Sequence, residues 1–152
     1  VDFVEKLEAV MVQVLKEYGI AGERNSRNRG VWVGNRKIGF VGIAVRRGVS
    51  FHGLALNVSP DLSFFQLIHP CGLQEVKITS MADLLEEPVP LNIIKNRLVF
   101  HFEKTFEITL KQIKRHDLLA KLPGKNHDNG YKRTGADEAP LAEEKALLGP
   151  AL

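Results

Sequence analysis

A chain of 152 residues is long enough for one domain with a real core, and 44% hydrophobic with 26% charged residues is the composition of a soluble globular protein. The net charge of +3 is too weak to argue for nucleic-acid binding, and a single cysteine excludes a disulfide scaffold and fits a reducing compartment. No apolar run approaches the ~20 residues that a membrane span needs, and the opening VDFVEKLEAV lacks the basic region and uninterrupted apolar stretch of a signal peptide.

The chain opens on Val rather than Met, as a fragment or a processed chain does. Phe3, Leu7, Val10, Val14 and Leu15 fall at helical spacing, with Glu5, Lys6, Glu8, Lys16 and Glu17 assigned to the opposite, polar side. The spacing predicts an amphipathic helix that ends near Tyr18-Gly19, where glycine suits the cap. A polar loop, AGERNSRNRG, leads to the short strand VWVG and an NRK turn. From Lys37 to Val45 the pattern KIGFVGIAV is almost continuously apolar, with Val41, Ile43 and Val45 on one face and Ile38, Phe40 and Ala44 on the other. Such a strand is expected to be covered on both sides. Its glycines, Gly39 and Gly42, mark places where another backbone or a ligand approaches closely. The turn RRG and the run VSFHGLALNV complete a hairpin.

Ser59-Pro60 reads as a helix start, giving a short helix from Asp61 to about Ile68 that Pro70 stops. Ser80 with Asp83 resembles a cap ahead of MADLL. Leu91, Ile94, Leu98, Phe102 and Phe106 predict a last helix from Leu91 to Phe106. Beyond about Leu122 the sequence turns rich in Gly, Pro, Asn and charge, and residues 123–152 are expected to be a disordered tail behind a domain of residues 1–122. There are no internal repeats. Helix, then strands, then helices is the order of an α+β fold.

Chemistry centres on Cys71, set between Pro70 and Gly72. A lone thiol is commonly a small buried hydrophobe. Here, however, it sits at a break between elements, beside a glycine whose N–H is accessible as an oxyanion donor. As a nucleophile it needs a nearby cation, and His52, His69, Lys37 and Lys77 are the candidates. His52 with Asn57 could imitate a Cys-His-Asn arrangement, but no local signature of those enzymes is present. No C-x-x-C or H-x-x-x-H spacing supports a metal site at His52, His69 and Cys71. Lys37 lies either at the wet edge of the sheet, which burial statistics favour, or lining a pocket. Arg24, Arg27, Arg29 and Arg36, with Arg46 and Arg47, form a basic cluster that is either plain surface charge or a face for an acidic partner.

The stretch from Gly30 to Leu73 resembles the octanoyltransferase family of lipoate biosynthesis. It carries G-V-W-V, K-I-G, the R-R-G turn, H-G-L-A-L-N-V and P-C-G in order and at matching spacing, and the likeness extends over about residues 3–110. It implies an acyltransferase with a lipoate/biotin protein ligase-like catalytic domain, a mixed or antiparallel sheet flanked by helices. Cys71 then takes an octanoyl group as a thioester. Lys37 is its dyad partner, and Phe40, Val41, Gly42, Gly53, Leu54 and Ala55 line the acyl pocket. The implied donor is octanoyl-acyl carrier protein, and the acceptors are lipoyl domains of 2-oxoacid dehydrogenases or the glycine cleavage H protein. No cofactor, nucleic acid or membrane is involved, and the compartment is the bacterial cytoplasm, or the mitochondrion in a eukaryote.

The related ATP-dependent lipoate and biotin ligases use an essential lysine without a cysteine nucleophile, and the chain has no P-loop. A non-catalytic module that docks acyl carrier protein or lipoyl domains is the alternative from another class. The family's Arg-Gly-Gly and Thr-x-His-Gly-Pro-Gly-Gln signature precedes the first helix in the family and is not in this sequence. The resemblance therefore implies an N-terminally truncated domain without its first strands, with an exposed sheet edge and a tendency to self-associate.

Overall fold

The computed structural model describes residues 2–25, 28–67 and 76–121. Cys71, His69 and the tail expected from residue 123 lie outside them. The chain divides into two compact units, Val1–Lys111 and Gln112–Leu152. Among the described residues, the first holds the sheet, three α-helices and a 3-10 helix. In the second, the described element is a short helix, α4, Arg115–Ala120, which the sequence reading did not anticipate.

Helix α1, Asp2–Glu17, buries Leu7, Val10, Val14 and Leu15 of the expected stripe and Met11 with them, while Phe3 stays exposed. It ends as predicted at Gly19, whose φ is +70°. Gly19 N–H donates to the Lys16 carbonyl at 3.1 Å and Ile20 N–H to the Leu15 carbonyl at 3.0 Å. This double closure satisfies the last carbonyls and turns Ile20 back into the core. Glu8 departs from its expected place on the polar side: it is fully buried.

Five strands follow in one sheet: β1 Glu23–Arg24, β2 Val31–Val33, β3 Arg36–Arg46, β4 Val49–Leu56 and β5 Lys77–Ile78. The order β1-β2-β3-β4 is antiparallel throughout, and β5 adds a parallel bridge to β3 at Arg36 and Lys37. The β3–β4 hairpin turns on Arg47 and Gly48, both at positive φ (52° and 79°). This is the mirror-image turn whose twist matches that of paired strands.

Along β3 the expected double cover holds only at Lys37, Ile38 and Gly39; Gly42, Val45 and Arg46 are exposed. Helix α1 crosses the sheet over the near end, and among the described residues nothing comparable covers the far end. At Gly39 the close approach is that helix: a Cβ there would lie 2.8 Å from Met11 Sδ and 3.1 Å from Val31 Cβ. Packing against α1, not a ligand, accounts for this glycine.

After β4 comes a 3-10 helix, Leu62–Leu67, rather than an α-helix begun by Ser59. Asp61 organises its start by accepting from Ser63 N–H at 2.9 Å and Ser63 Oγ at 2.7 Å. Helix α2, Met81–Leu85, is capped as predicted, with Ser80 Oγ accepting from Asp83 N–H. Helix α3, Leu91–Phe106, has the predicted bounds and packs against α1 through Ile94, Leu98 and the Phe3–Phe106 edge contact. The core joins Met11, Val14 and Leu15 to Val31, Ile38, Val58, Met81 and Ile94.

Candidate active site

Lys37 is not at a wet edge. It is 2% exposed, held where β2, β3 and β5 meet. A cation can be buried there because the loop before β2 supplies oxygens. Lys37 Nζ donates to the Arg29 carbonyl at 2.7 Å and to Asn28 Oδ1 at 3.0 Å. It also lies 5.4 Å from the centre of the Trp32 ring and 5.1 Å from that of Phe40, a range in which ring faces attract a cation. Phe40 in turn stacks on Phe65 of the 3-10 helix, with centroids 6.1 Å apart.

The loop is fixed from both sides. Trp32 Nε1–H donates to the Asn28 carbonyl at 3.0 Å, and Gly30 N–H donates to Glu8 Oε1 at 2.7 Å. Gly30 has φ +125°, and a Cβ there would sit 2.4 Å from the Gly39 carbonyl oxygen and 2.7 Å from Lys37 Cε. Only glycine lets the loop pass this close to the lysine stem.

The six residues expected to line an acyl pocket are brought together by the hairpin register, Phe40 opposite Ala55, Val41 opposite Leu54 and Gly42 opposite Gly53. Because side chains alternate along a strand, they divide between two faces. Val41 and Leu54 pack against the core. Phe40, Gly42, Gly53 and Ala55 share the other face, on which built Cβ atoms at Gly42 and Gly53 meet nothing within 4 Å. On the helix side an apolar cavity of about 400 Å³ opens between α1, α3 and the hairpin, lined by Leu7, Val10, Ile43, Leu54, Leu98 and Phe102 among others.

Other expected participants are elsewhere. Asn57 is buried and occupied in structure: its N–H donates to the Ile38 carbonyl and its Nδ2–H to the Thr79 carbonyl at 3.0 Å. His52 is exposed on β4 at a positive φ of 72°. The basic cluster is divided: Arg29 pairs with Glu5 and Glu8, Arg36 pairs with Asp83, and Arg46 and Arg47 are at the hairpin turn. Arg27 lies outside the described residues, and among those described no group of three His, Cys, Asp or Glu could hold a metal ion. No helix among them is long and apolar enough to cross a membrane.

Glu8, Asn28 and Trp32 were not foreseen as part of the lysine's surroundings. Glu8 had a legible signal, since it falls in helical register with Met11 and Leu15, where an acid is out of place.

An open sheet flanked by helices is the fold of lipoate-protein ligase A. The crystal structure of lipoate-protein ligase A bound with ATP superposes with a TM-score of 0.60 at 18% sequence identity, over 78% of this chain and 54% of that one. Residues 1–103 match the lipoyl protein ligase A/B catalytic domain, and the chain belongs to that family. Among curated relatives, the octanoyltransferase of Syntrophobacter fumaroxidans is 47% identical over 106 residues, 70% of this chain and 46% of the relative. That of Caldanaerobacter subterraneus is 47% identical over 111 residues, 73% and 48% of the two chains. That of Synechococcus elongatus is 38% identical over 118 residues, 78% and 50%. The chain thus spans about half the length of the curated relatives it matches.

Proposed function

We propose that the protein is an acyltransferase of protein lipoylation, moving an octanoyl group from octanoyl-acyl carrier protein to a lysine of a lipoyl domain. The observation that carries the reading is the burial of Lys37 between oxygen acceptors and aromatic faces, in a chain similar to proteins named octanoyltransferases. A cation deep in a site that opens onto a bare strand face is suited to proton handling beside a reacting carbonyl.

In the first half-reaction Cys71 starts as a thiolate paired with the Lys37 ammonium, and the sulfur attacks the carbonyl carbon of the donor thioester. The carrier's sulfur leaves and takes a proton from Lys37, which becomes a neutral amine. In the second, the acceptor's neutral ε-amine attacks the Cys71 thioester, an amide forms, the amine's proton passes to Lys37, and Cys71 departs as the thiolate. Each step exchanges one bond to the carbonyl carbon for another, so no ATP is consumed. The strand face of Phe40, Gly42, Gly53 and Ala55 holds the acyl chain, because its two facing glycines leave the backbone open and Phe40 leads from them to the lysine. Val41 and Leu54 then contribute through their backbone. The two partners meet in the bacterial cytoplasm or, in a eukaryote, the mitochondrial matrix.

Intact-protein mass spectrometry after mixing with octanoyl-acyl carrier protein tests this. An octanoyl-sized gain that hydroxylamine removes, absent from Cys71→Ser and slowed in Lys37→Ala, is expected. Modification that survives Cys71→Ser rejects the thioester mechanism. Transfer that needs free octanoate and ATP makes the protein a ligase, and binding of either partner without turnover makes it a docking module.

A further inference from the structure

Among the described residues, two charged side chains are buried, Lys37 at 2% and Glu8 at 0% exposure. One is on β3 and the other on α1, and a single peptide group lies between them. The Arg29–Gly30 peptide turns its N–H to Glu8 Oε1 at 2.7 Å and its carbonyl to Lys37 Nζ at 2.7 Å. The second carboxylate oxygen of Glu8 accepts from Arg29 Nη1 at 3.4 Å.

A buried carboxylate with no role is costly and readily replaced by an apolar residue. This one faces the N–H end of a peptide dipole whose C=O end faces an ammonium. The two charges polarise the peptide in the same sense, so each strengthens the hydrogen bond the other makes. Gly30, at φ +125° and with no room for a Cβ, lets that peptide be presented edge-on to both.

We propose that Glu8 is a positioning residue for Lys37, acting through the Arg29–Gly30 peptide: it fixes the carbonyl that holds the ammonium in place. The consequence for thiol chemistry rests on the Cys71–Lys37 reading above; the positioning of Lys37 does not.

Two readouts separate them in the 152-residue chain. The first is labelling of Lys37 by the acetyl ester of N-hydroxysuccinimide, mapped by peptide mass spectrometry. Glu8→Gln keeps an acceptor oxygen for Gly30 N–H but loses the charge, and Glu8→Ala removes both. Labelling of Lys37 is expected to rise about threefold in the first and about tenfold in the second, the range for weakening and then losing a charge-assisted hydrogen bond. The second readout is the rate of alkylation of Cys71, the sole thiol, by iodoacetamide. It is expected to fall in both Glu8 variants, and in a Lys37→Ala background neither Glu8 change should lower it further, since coupled residues are non-additive.

Circular dichroism establishes that each variant is folded, and if Glu8→Ala is not, Glu8→Gln decides. Lys37 labelling unchanged from wild type in the folded variants overturns the proposal. So does a Glu8 effect on Cys71 that is as large without Lys37 as with it, which is the mark of a merely structural role. If Lys37→Ala leaves Cys71 alkylation unchanged while Glu8 variants expose Lys37, the positioning stands and the dyad falls.

Discussion

Replacing Gly30 by alanine should be among the most damaging single-methyl changes in this protein. The residue sits at φ +125°, and the added Cβ would meet backbone, the Gly39 carbonyl oxygen at 2.4 Å, as well as Lys37 Cε at 2.7 Å. The lysine stem can move a little, but the strand cannot. Left-handed strain at a non-glycine residue costs about 1–3 kcal/mol, and overpacking a tight site costs a similar amount. Together they predict a loss of about 2–6 kcal/mol, a large part of a typical domain's roughly 5–15 kcal/mol. Urea unfolding followed by tryptophan fluorescence reads this directly, because the only tryptophan, Trp32, is buried beside the loop. With a slope of about 2 kcal/mol per molar urea, the midpoint should fall by about 1–3 M. Gly42→Ala and Gly53→Ala are the controls, since their added methyls meet nothing within 4 Å. Their stability should stay within about 0.5 kcal/mol of wild type, while acyl-enzyme formation slows if their face holds the acyl chain. A loss below about 0.5 kcal/mol for Gly30→Ala would refute the account of why the loop needs glycine.

Two further expectations concern the rest of the first unit. Glu17 accepts from Arg97 through both carboxylate oxygens and pairs with His101 at 2.8 Å, tying α1 to α3. The Arg97 hydrogen bond, outweighing partial burial and aided by His101, holds the Glu17 carboxyl at about 2 against an ordinary 4.5. A depressed carboxyl stabilises the fold above its unfolded value, and that contribution is lost as pH falls from about 4.5 towards about 2. With the side chain 31% exposed, solvent screening leaves about 1 kcal/mol. Glu17→Gln should remove it at pH 7 and flatten the acid limb of a urea-midpoint profile; an unchanged limb would refute the assignment. At the far end of the hairpin, Val45 of β3 is 67% exposed, and Val49 at 67% and Phe51 at 45% lie on β4, which carries no Asp, Glu, Lys or Arg and pairs only with β3 among the described residues. Concentration-dependent association is expected by sedimentation velocity, reduced by Val49→Lys; a wild-type chain that stays monomeric at high concentration would refute it.

Local signals read well from the residues. The stripe of α1, its glycine cap, the hairpin with its Arg47-Gly48 turn, the Ser80 cap and the full span of α3 each depend on interactions within a few residues of one another. The sequence motifs from Gly30 to Leu73 were sufficient to point to the family. Three readings needed more than local information. The helix after Pro60 is 3-10 and begins with Asp61 organising Ser63, a difference of one hydrogen-bond register that composition does not encode. Double cover of β3 was inferred from its apolar faces, but cover depends on how far α1 reaches across the sheet. Gly39 was linked to ligand approach, whereas Met11 of α1 fills the space above it.

The sequence by itself determined the two long helices, the hairpin and which family the chain belongs to, because spacing, caps and ordered motifs are properties of neighbouring residues. Only the tertiary structure decided the fate of the charges. Lys37 reads from the sequence as an edge residue and Glu8 as one of several acids on a polar helix face. Both are buried because the loop at residues 28–30 runs between α1 and β3 and offers one peptide group to the two of them. Whether a charge can leave water depends on the partners that meet it inside, and here the partner of Glu8 lies 22 residues along the chain and those of Lys37 lie 8 and 9 residues away.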